Sequence, residues 1–181
     1  MKKILLLVVA ITFMASSSYA QGFTLKSTDI GGQLSQNQVF SGFGCEGKNI
    51  SPELNWQNAP KSTKSYAITV YDPDAPTGSG WWHWVVFDIP SNITNLKAGA
   101  GNLQNSLAPE GSIQSITDYG RTGYGGACPP SGDKPHRYIF TVYALNIEKL
   151  GVNAKSSPAM VGFFLNQHTI AKASLISYYS R

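Results

Sequence analysis

Two stretches of this chain combine carboxylate, imidazole and phenol side chains at spacings that could do chemistry. Residues 71–90, YDPDAPTGSGWWHWVVFDIP, carry Asp72, Asp74 and His83, with Trp81, Trp82 and Trp84 around the histidine. Residues 136–145, HRYIFTVYAL, add His136, Arg137 and Tyr138, and the loop before them, YGGACPPSGDKP, adds Gly126, Cys128 and Pro130. Imidazole N–H, phenol O–H and the amides of a glycine-rich loop are donors suited to an anion. The aspartates then serve to fix a histidine tautomer and raise its pKa, or to meet an ammonium group. The same residue types allow two other chemistries. Asp and His can act as general base and acid on a phosphoester, and Asp72, Asp74, His83 and His136 are acceptable metal ligands. No nucleophile elbow, HExxH helix or phosphate loop accompanies them, which weighs against a hydrolase.

Strands must position these groups. SYAITVY (65–71) alternates with period two, placing Tyr66, Ile68 and Val70 on one face and Ala67, Thr69 and Tyr71 on the other. After the Gly-Ser-Gly tip, the same periodicity puts Trp81, His83, Val85 and Phe87 on one face and Trp82, Trp84, Val86 and Asp88 on the other. Both faces are apolar, as in a central strand covered on both sides. Asp72-Pro73-Asp74-Ala75-Pro76 cannot continue a ladder, because proline lacks the N–H and restricts its predecessor. In 136–145, His136, Tyr138, Phe140 and Val142 share a face. Arg137 points the opposite way, toward an ion pair with Asp72 or Asp74. The tryptophans serve as core aromatics or as a cation–π face.

DPDAP, a histidine one short strand later, Gly-Gly-x-Cys-Pro-Pro and a His-Arg-Tyr strand, in that order, resemble the phosphatidylethanolamine-binding protein family in its bacterial, Raf-kinase-inhibitor-like branch. The resemblance runs from about residue 23 to the C-terminus and includes FGCEGKNISPELNW. It implies a small pocket where Asp72, Asp74, His83, His136 and Tyr138 converge with Gly126, Cys128 and Pro130, binding phosphate or a phosphorylated headgroup without a cofactor or metal. It further implies a cis peptide at Ala75–Pro76 and a C-terminal segment bordering the site. Some eukaryotic relatives inhibit partner proteins. A modulating role on an unidentified partner is compatible with the resemblance, whereas inhibition of a cytosolic kinase does not carry over to an exported protein.

Export is read from the first twenty residues. Lys2 and Lys3 precede an apolar run over residues 4–14, and Ser18-Tyr19-Ala20 offers a small-x-small cleavage site, so residues 1–20 are expected to be a signal peptide and 21–181 one domain. The destination is the periplasm or the exterior. The run is too short for a permanent span. Lys2 and Lys3 leave with the leader, lowering the formal charge from +4 to +2. No basic cluster remains to suit a nucleic acid or a membrane surface. Cys45 and Cys128 are the only cysteines. An oxidising compartment favours a bridge between them; the alternative is two buried thiols behaving as small hydrophobes.

Short strands and frequent turns before residue 57 suit an antiparallel β-sandwich, expected here in a Greek-key arrangement with peripheral helices. Residues 90–111 read as a long connection with a turn or two of helix, and 112–117 as an edge strand. Ser157-Pro158 starts an amphipathic helix with Val161, Phe164, Leu165, His168, Ala171 and Leu175 on one face. His168 is there expected to be a core histidine bonded to a carbonyl.

Overall fold

The structure is a computed structural model that describes residues 22–181. The expected leader, its cleavage site and Gln21 lie outside the described residues. Two antiparallel sheets face each other. The smaller contains β1 (Thr24–Lys26), β4 (Leu54–Gln57) and β7 (Asn95–Leu96) in the order β1-β4-β7. The larger contains β5 (Ser65–Asp72), β6 (Trp81–Pro90), β8 (Ile113–Gln114), β9 (His136–Leu145) and β10 (Thr169–Tyr179) in the order β10-β9-β5-β6-β8. A short hairpin, β2 (Ser41–Gly42) with β3 (Cys45–Glu46), stands apart from both.

The main core lies between the sheets. Leu25, Leu54, Trp56 and Leu96 from the small sheet meet Tyr66, Ile68, Val70, Trp84, Val86, Tyr138, Phe140 and Val142 from the large one. The residues that alternation groups together in β5 (Tyr66, Ile68, Val70) and in β9 (Tyr138, Phe140, Val142) thus form the inner face. The outer face of the large sheet forms a second core, in which Ala67, Val85, Phe87 and Leu145 pack under Val161 and Leu165 of α1 (Pro158–His168). The strands at the centre of the large sheet are thus covered on both sides. Ser157 caps α1 by accepting from the Met160 N–H at 3.2 Å, and Pro158 follows at the first turn.

Two departures from simple periodicity shape β6. Val70 pairs with Trp84 but Tyr71 pairs with Trp82, so the ladder skips His83. A bulge of this kind reverses the facing of the residues beyond it. Trp84 stays in the inner core, whereas Trp82 turns outward to join Val85. His83 consequently shares the inner side with Trp84 and Tyr138, not the outer side with Val85 and Phe87. A second shift falls between Tyr66 and Ile68, opposite Asp88, whose φ is +57° and whose buried carboxylate accepts the Leu150 N–H at 2.7 Å.

The C-terminal helix is shorter than its periodicity suggests. It ends at His168, and Thr169 bonds the Leu165 carbonyl with its hydroxyl at 2.6 Å as the chain enters β10. Ala171, Ala173, Leu175 and Ser177 then face inward while Ile170, Lys172, Ser174 and Ile176 are exposed. Ala171 and Leu175 fit a helical face only because spacings of three and four also contain the even steps of a strand. His168 is half-buried beside the Asn146 side chain, with Nδ1 3.2 Å from Oδ1, and is not a core residue. The connection after β6 holds a single 3₁₀ turn, Leu103–Asn105. No helix of the described residues is long and apolar enough to cross a membrane.

Candidate functional site

The ends of β5, β6 and β9 and the loops beyond them enclose a cavity of about 180 Å³. Asp72, His83, His136 and Tyr138 line it, together with Trp81, Tyr119 and the Cys128-Pro129-Pro130 segment.

Asp72 is the fixed point. Where the prolines take the chain out of the ladder, its Oδ1 accepts the N–H groups of Asp74 and Ala75 at 2.8 and 3.1 Å. Its Oδ2 lies 2.8 Å from Nδ1 of His136, which therefore carries a proton there. This capped turn, extended by the Thr77 N–H to the Ala75 carbonyl at 2.7 Å, makes the reversal without a cis bond. Ala75–Pro76 is trans, and the described residues contain no cis peptide.

His83 is held differently. Its Nδ1 lies 2.8 and 3.2 Å from the carbonyls of Gly125 and Gly126, which can only accept, so Nδ1 is the protonated nitrogen. Burial pushes its pKa below the ordinary histidine value, against the opposing pull of those carbonyls and of Asp72. The expectation that a nearby aspartate raises the pKa thus fails for His83, because removal from water outweighs the carboxylate. Its Nε2 is buried without a hydrogen-bond partner, and so is the Tyr138 hydroxyl, the two rings meeting edge to face at 5.1 Å. Burial also holds the Tyr119 and Tyr138 phenols well above their usual range, so both remain O–H groups at neutral pH.

Two residues expected at the ligand stand behind it. Asp74 does not line the cavity: its carboxylate accepts from the Arg137 N–H and Nε at 2.9 Å each and from the second guanidinium nitrogen at 2.8 Å. Arg137 thereby holds the Asp74 carboxyl down at about 2. Gly126 offers the cavity no amide, because its N–H is bound by Asn49 Oδ1 at 2.7 Å. Its carbonyl instead orients His83 and accepts the Tyr119 hydroxyl at 2.7 Å. A Cβ there would sit 2.2 Å from the Gln38 carbonyl oxygen, so only glycine fits.

Cys128 and Pro130 line the wall, and a Cys45–Cys128 disulfide ties that wall to the β2–β3 hairpin, whose exposed Phe43 forms the rim. Arg181 fastens the same two loops, donating to the Pro129 carbonyl at 2.6 Å and to Gly44 at 2.8 Å. The C-terminal segment thus borders the site through the Arg181 guanidinium, which donates to backbone carbonyls of its wall. Of the tryptophans only Trp81 reaches the cavity. Trp82 packs against Tyr71 at the outer face with the two rings tilted, and Trp84 donates to Gln114 Oε1 at 2.7 Å in the core.

Sequence reasoning missed Tyr119, Phe43 and Asp133. Asp133 Oδ2 lies 3.4 Å from Nε2 of His136. An acidic residue three positions before a histidine in a proline-framed loop was the available signal; Tyr119 and Phe43 had none. Among the described residues no group of three His, Cys, Asp or Glu side chains could hold a metal ion.

The phosphatidylethanolamine-binding protein family model matches residues 26–180. The chain belongs to this family. Among its relatives is Escherichia coli YbcL, a UPF0098 protein 50% identical over 98% of both chains. Escherichia coli YbhB is also 50% identical, over 83% of this chain and 94% of its own length. The crystal structure of YbcL, a new member of the mammalian family, matches with a TM-score of 0.87 and 52% identity, covering 89% of this chain and 99% of that one. A putative homolog from Chlamydia trachomatis, CT736, gives 0.73 at 28% identity over 88% and 98%. The fold of this family member is therefore that of its solved relatives.

Proposed function

We infer that this protein is exported and binds a small phosphorylated ligand, of the phosphoethanolamine headgroup type, in the cavity between Asp72, His83, His136 and Tyr138. One observation carries the reading: His83 and Tyr138 line the cavity, and the His83 Nε2 and the Tyr138 hydroxyl are buried with no partner in the protein. Unpaired buried polar atoms cost about 1–3 kcal/mol each, a cost that a ligand removes by accepting from the Tyr138 hydroxyl and by sharing a proton with His83 Nε2, the ring nitrogen left unprotonated. His136 Nε2 supplies a third contact, with Asp72 fixing its ring. Burial keeps these groups ready to act in a low-dielectric setting.

Binding, not turnover, is the activity we assign. The sulfur in the wall is committed to a disulfide, which leaves no thiol nucleophile there. Export accords with that disulfide and with the leader pattern of residues 1–20. Calorimetric titration of phosphoethanolamine into the mature protein tests the ligand class, with mass spectrometry of what co-purifies as its complement. The reading expects saturable binding that His136→Ala weakens by roughly thirty-fold, equivalent to about 2 kcal/mol. No binding, or binding unaffected by that change, overturns it. An intact mass that retains residues before Gln21 overturns export.

A further inference from the structure

The two cysteines of the Cys45–Cys128 bridge line different openings of the molecule. Cys128 is half-buried in the wall of the ligand cavity. Cys45, 8% exposed, lines a separate groove of about 500 Å³ together with Glu46, Lys48 and Arg181. Arg181 donates to the carbonyls of Gly44 and Pro129, the chain neighbours of the two cysteines, and so holds a guanidinium beside the bridge. A sulfur that departs as a thiolate leaves faster where cations stand next to it, and Lys48 and Arg181 supply them on the Cys45 side.

The segment that the bridge holds is strained. Gly42, Phe43 and Gly44 carry φ of +141°, +53° and +79° in succession. Phe43 lacks the freedom of its glycine neighbours and stands 69% exposed on the cavity rim. This tip is otherwise steadied by a two-residue ladder, Ser41–Gly42 with Cys45–Glu46, by the Arg181 bond to Gly44, and by ring contacts of Phe43 with Phe40 and Tyr119 at 5.4 and 5.8 Å. The chain on either side is anchored independently of the sulfur. Ala127 accepts from the Phe40 N–H at 2.9 Å and donates to the Gln38 carbonyl at 3.2 Å, Asn49 holds the Gly126 N–H, and the Gly47 N–H bonds the Phe40 carbonyl at 2.8 Å.

We propose that the Cys45–Cys128 bridge is a site of thiol–disulfide exchange with a dithiol reductant in the folded protein, and that cutting it frees the Phe43 tip from the cavity rim. One thiolate of the dithiol attacks Cys128 Sγ, the S–S bond breaks, and its electron pair leaves on Cys45 Sγ. The second thiolate attacks the reductant's own sulfur in the mixed disulfide and expels Cys128 as a thiolate. The dithiol departs as a disulfide, and the two protons that it gives up balance those taken up by Cys45 and Cys128. Exchange in the reverse direction with a disulfide restores the rim. Residues 41–46 are released, while the wall at Gly126 and Ala127 keeps its backbone bonds. The proposal concerns the rim and holds whatever ligand the cavity takes.

Dithiothreitol at mildly alkaline pH without denaturant, followed by alkylation and mass spectrometry, tests the exchange. Both cysteines should become alkylated while the circular dichroism spectrum stays native. A bridge that resists reduction until denaturant is added, or reduction that unfolds the whole domain, overturns the proposal. Hydrogen exchange of residues 41–46 in the reduced, folded protein should rise roughly tenfold or more as the tip opens locally, with the Phe40 and Ala127 amides still protected. Cys45→Ser combined with Cys128→Ser reproduces the cut state without a reductant and should show the same local rise. Exchange over 41–46 that stays unchanged on reduction overturns the freed rim and the proposal with it.

Discussion

Replacing Tyr138 by phenylalanine separates stability from binding more cleanly than any other change at the site. The Tyr138 side chain is almost fully buried in the inner core, 1% exposed, and its hydroxyl has no partner. An unmade buried hydrogen bond costs about 1–3 kcal/mol. Deleting the oxygen leaves ~15 Å³ of space, which at ~24 cal/mol per Å³ offsets only about 0.4 kcal/mol. Tyr138→Phe should therefore stabilise the ligand-free protein by about 1 kcal/mol, a rise in Tm of roughly 2–4 °C for a domain of this size. If the hydroxyl donates to a phosphoryl oxygen, the same variant loses a charge-assisted bond of about 1.5–3 kcal/mol, tenfold or more in Kd. Urea titration and calorimetry on one preparation read both effects. A variant that is less stable than wild type and binds as well would show that the oxygen is satisfied within the protein and plays no part at the ligand.

Further outcomes follow from three features of the same geometry: His83, the Asp74–Arg137 pair and the disulfide. Because His83 is neutral with its proton on Nδ1 and its pKa is depressed by burial, an anion at Nε2 requires an added proton. Phosphate binding near pH 7 should take up about one proton, seen as a dependence of calorimetric heat on buffer ionisation enthalpy, and affinity should rise as pH falls. In the ligand-free protein this same depressed pKa should lower stability as pH drops below about 6.5, where the unfolded chain binds the proton and the native ring resists it. Asp74, held at about 2 by Arg137, should contribute stability that is present above about 4 and is lost as pH falls toward 2. Acid unfolding of Asp74→Asn should lack that portion of the slope, and an unaltered acid limb would argue against the pairing. The Cys45–Cys128 bridge closes a span of 83 positions, so reduction should lower the unfolding free energy by up to about 4.5 kcal/mol on chain entropy alone. Unfolded, unreduced protein should yield no titratable thiol.

The amino-acid sequence by itself determined the strands and most of what they carry. Period-two alternation marks SYAITVY and HRYIFTVYAL as strands and sorts their residues into two faces, because successive side chains of a pleated strand point to opposite sides; which face meets the small sheet was settled by tertiary packing. The prolines of DPDAP end a ladder wherever they occur, and Ser157-Pro158 begins a helix by local hydrogen bonding and φ restriction alone. Tertiary structure decided whatever depended on register or on distant partners. The bulge that turns His83 inward is fixed by how β6 pairs with β5, and the sequence of β6 does not reveal it. Asp72 and Asp74 are indistinguishable in composition; one meets His136 and the other Arg137 because adjacent side chains of β9 point to opposite sides of the sheet. The end of α1 was equally out of reach, since 168, 171 and 175 satisfy helical spacing until β9 offers Ala171 and Leu175 a ladder of backbone partners that a helix would have left unused. Asp133 comes within 3.4 Å of His136 Nε2 in a turn held by the contacts of Asp133 to Pro130 and of Gly132 to Arg181, the second of which is remote in sequence.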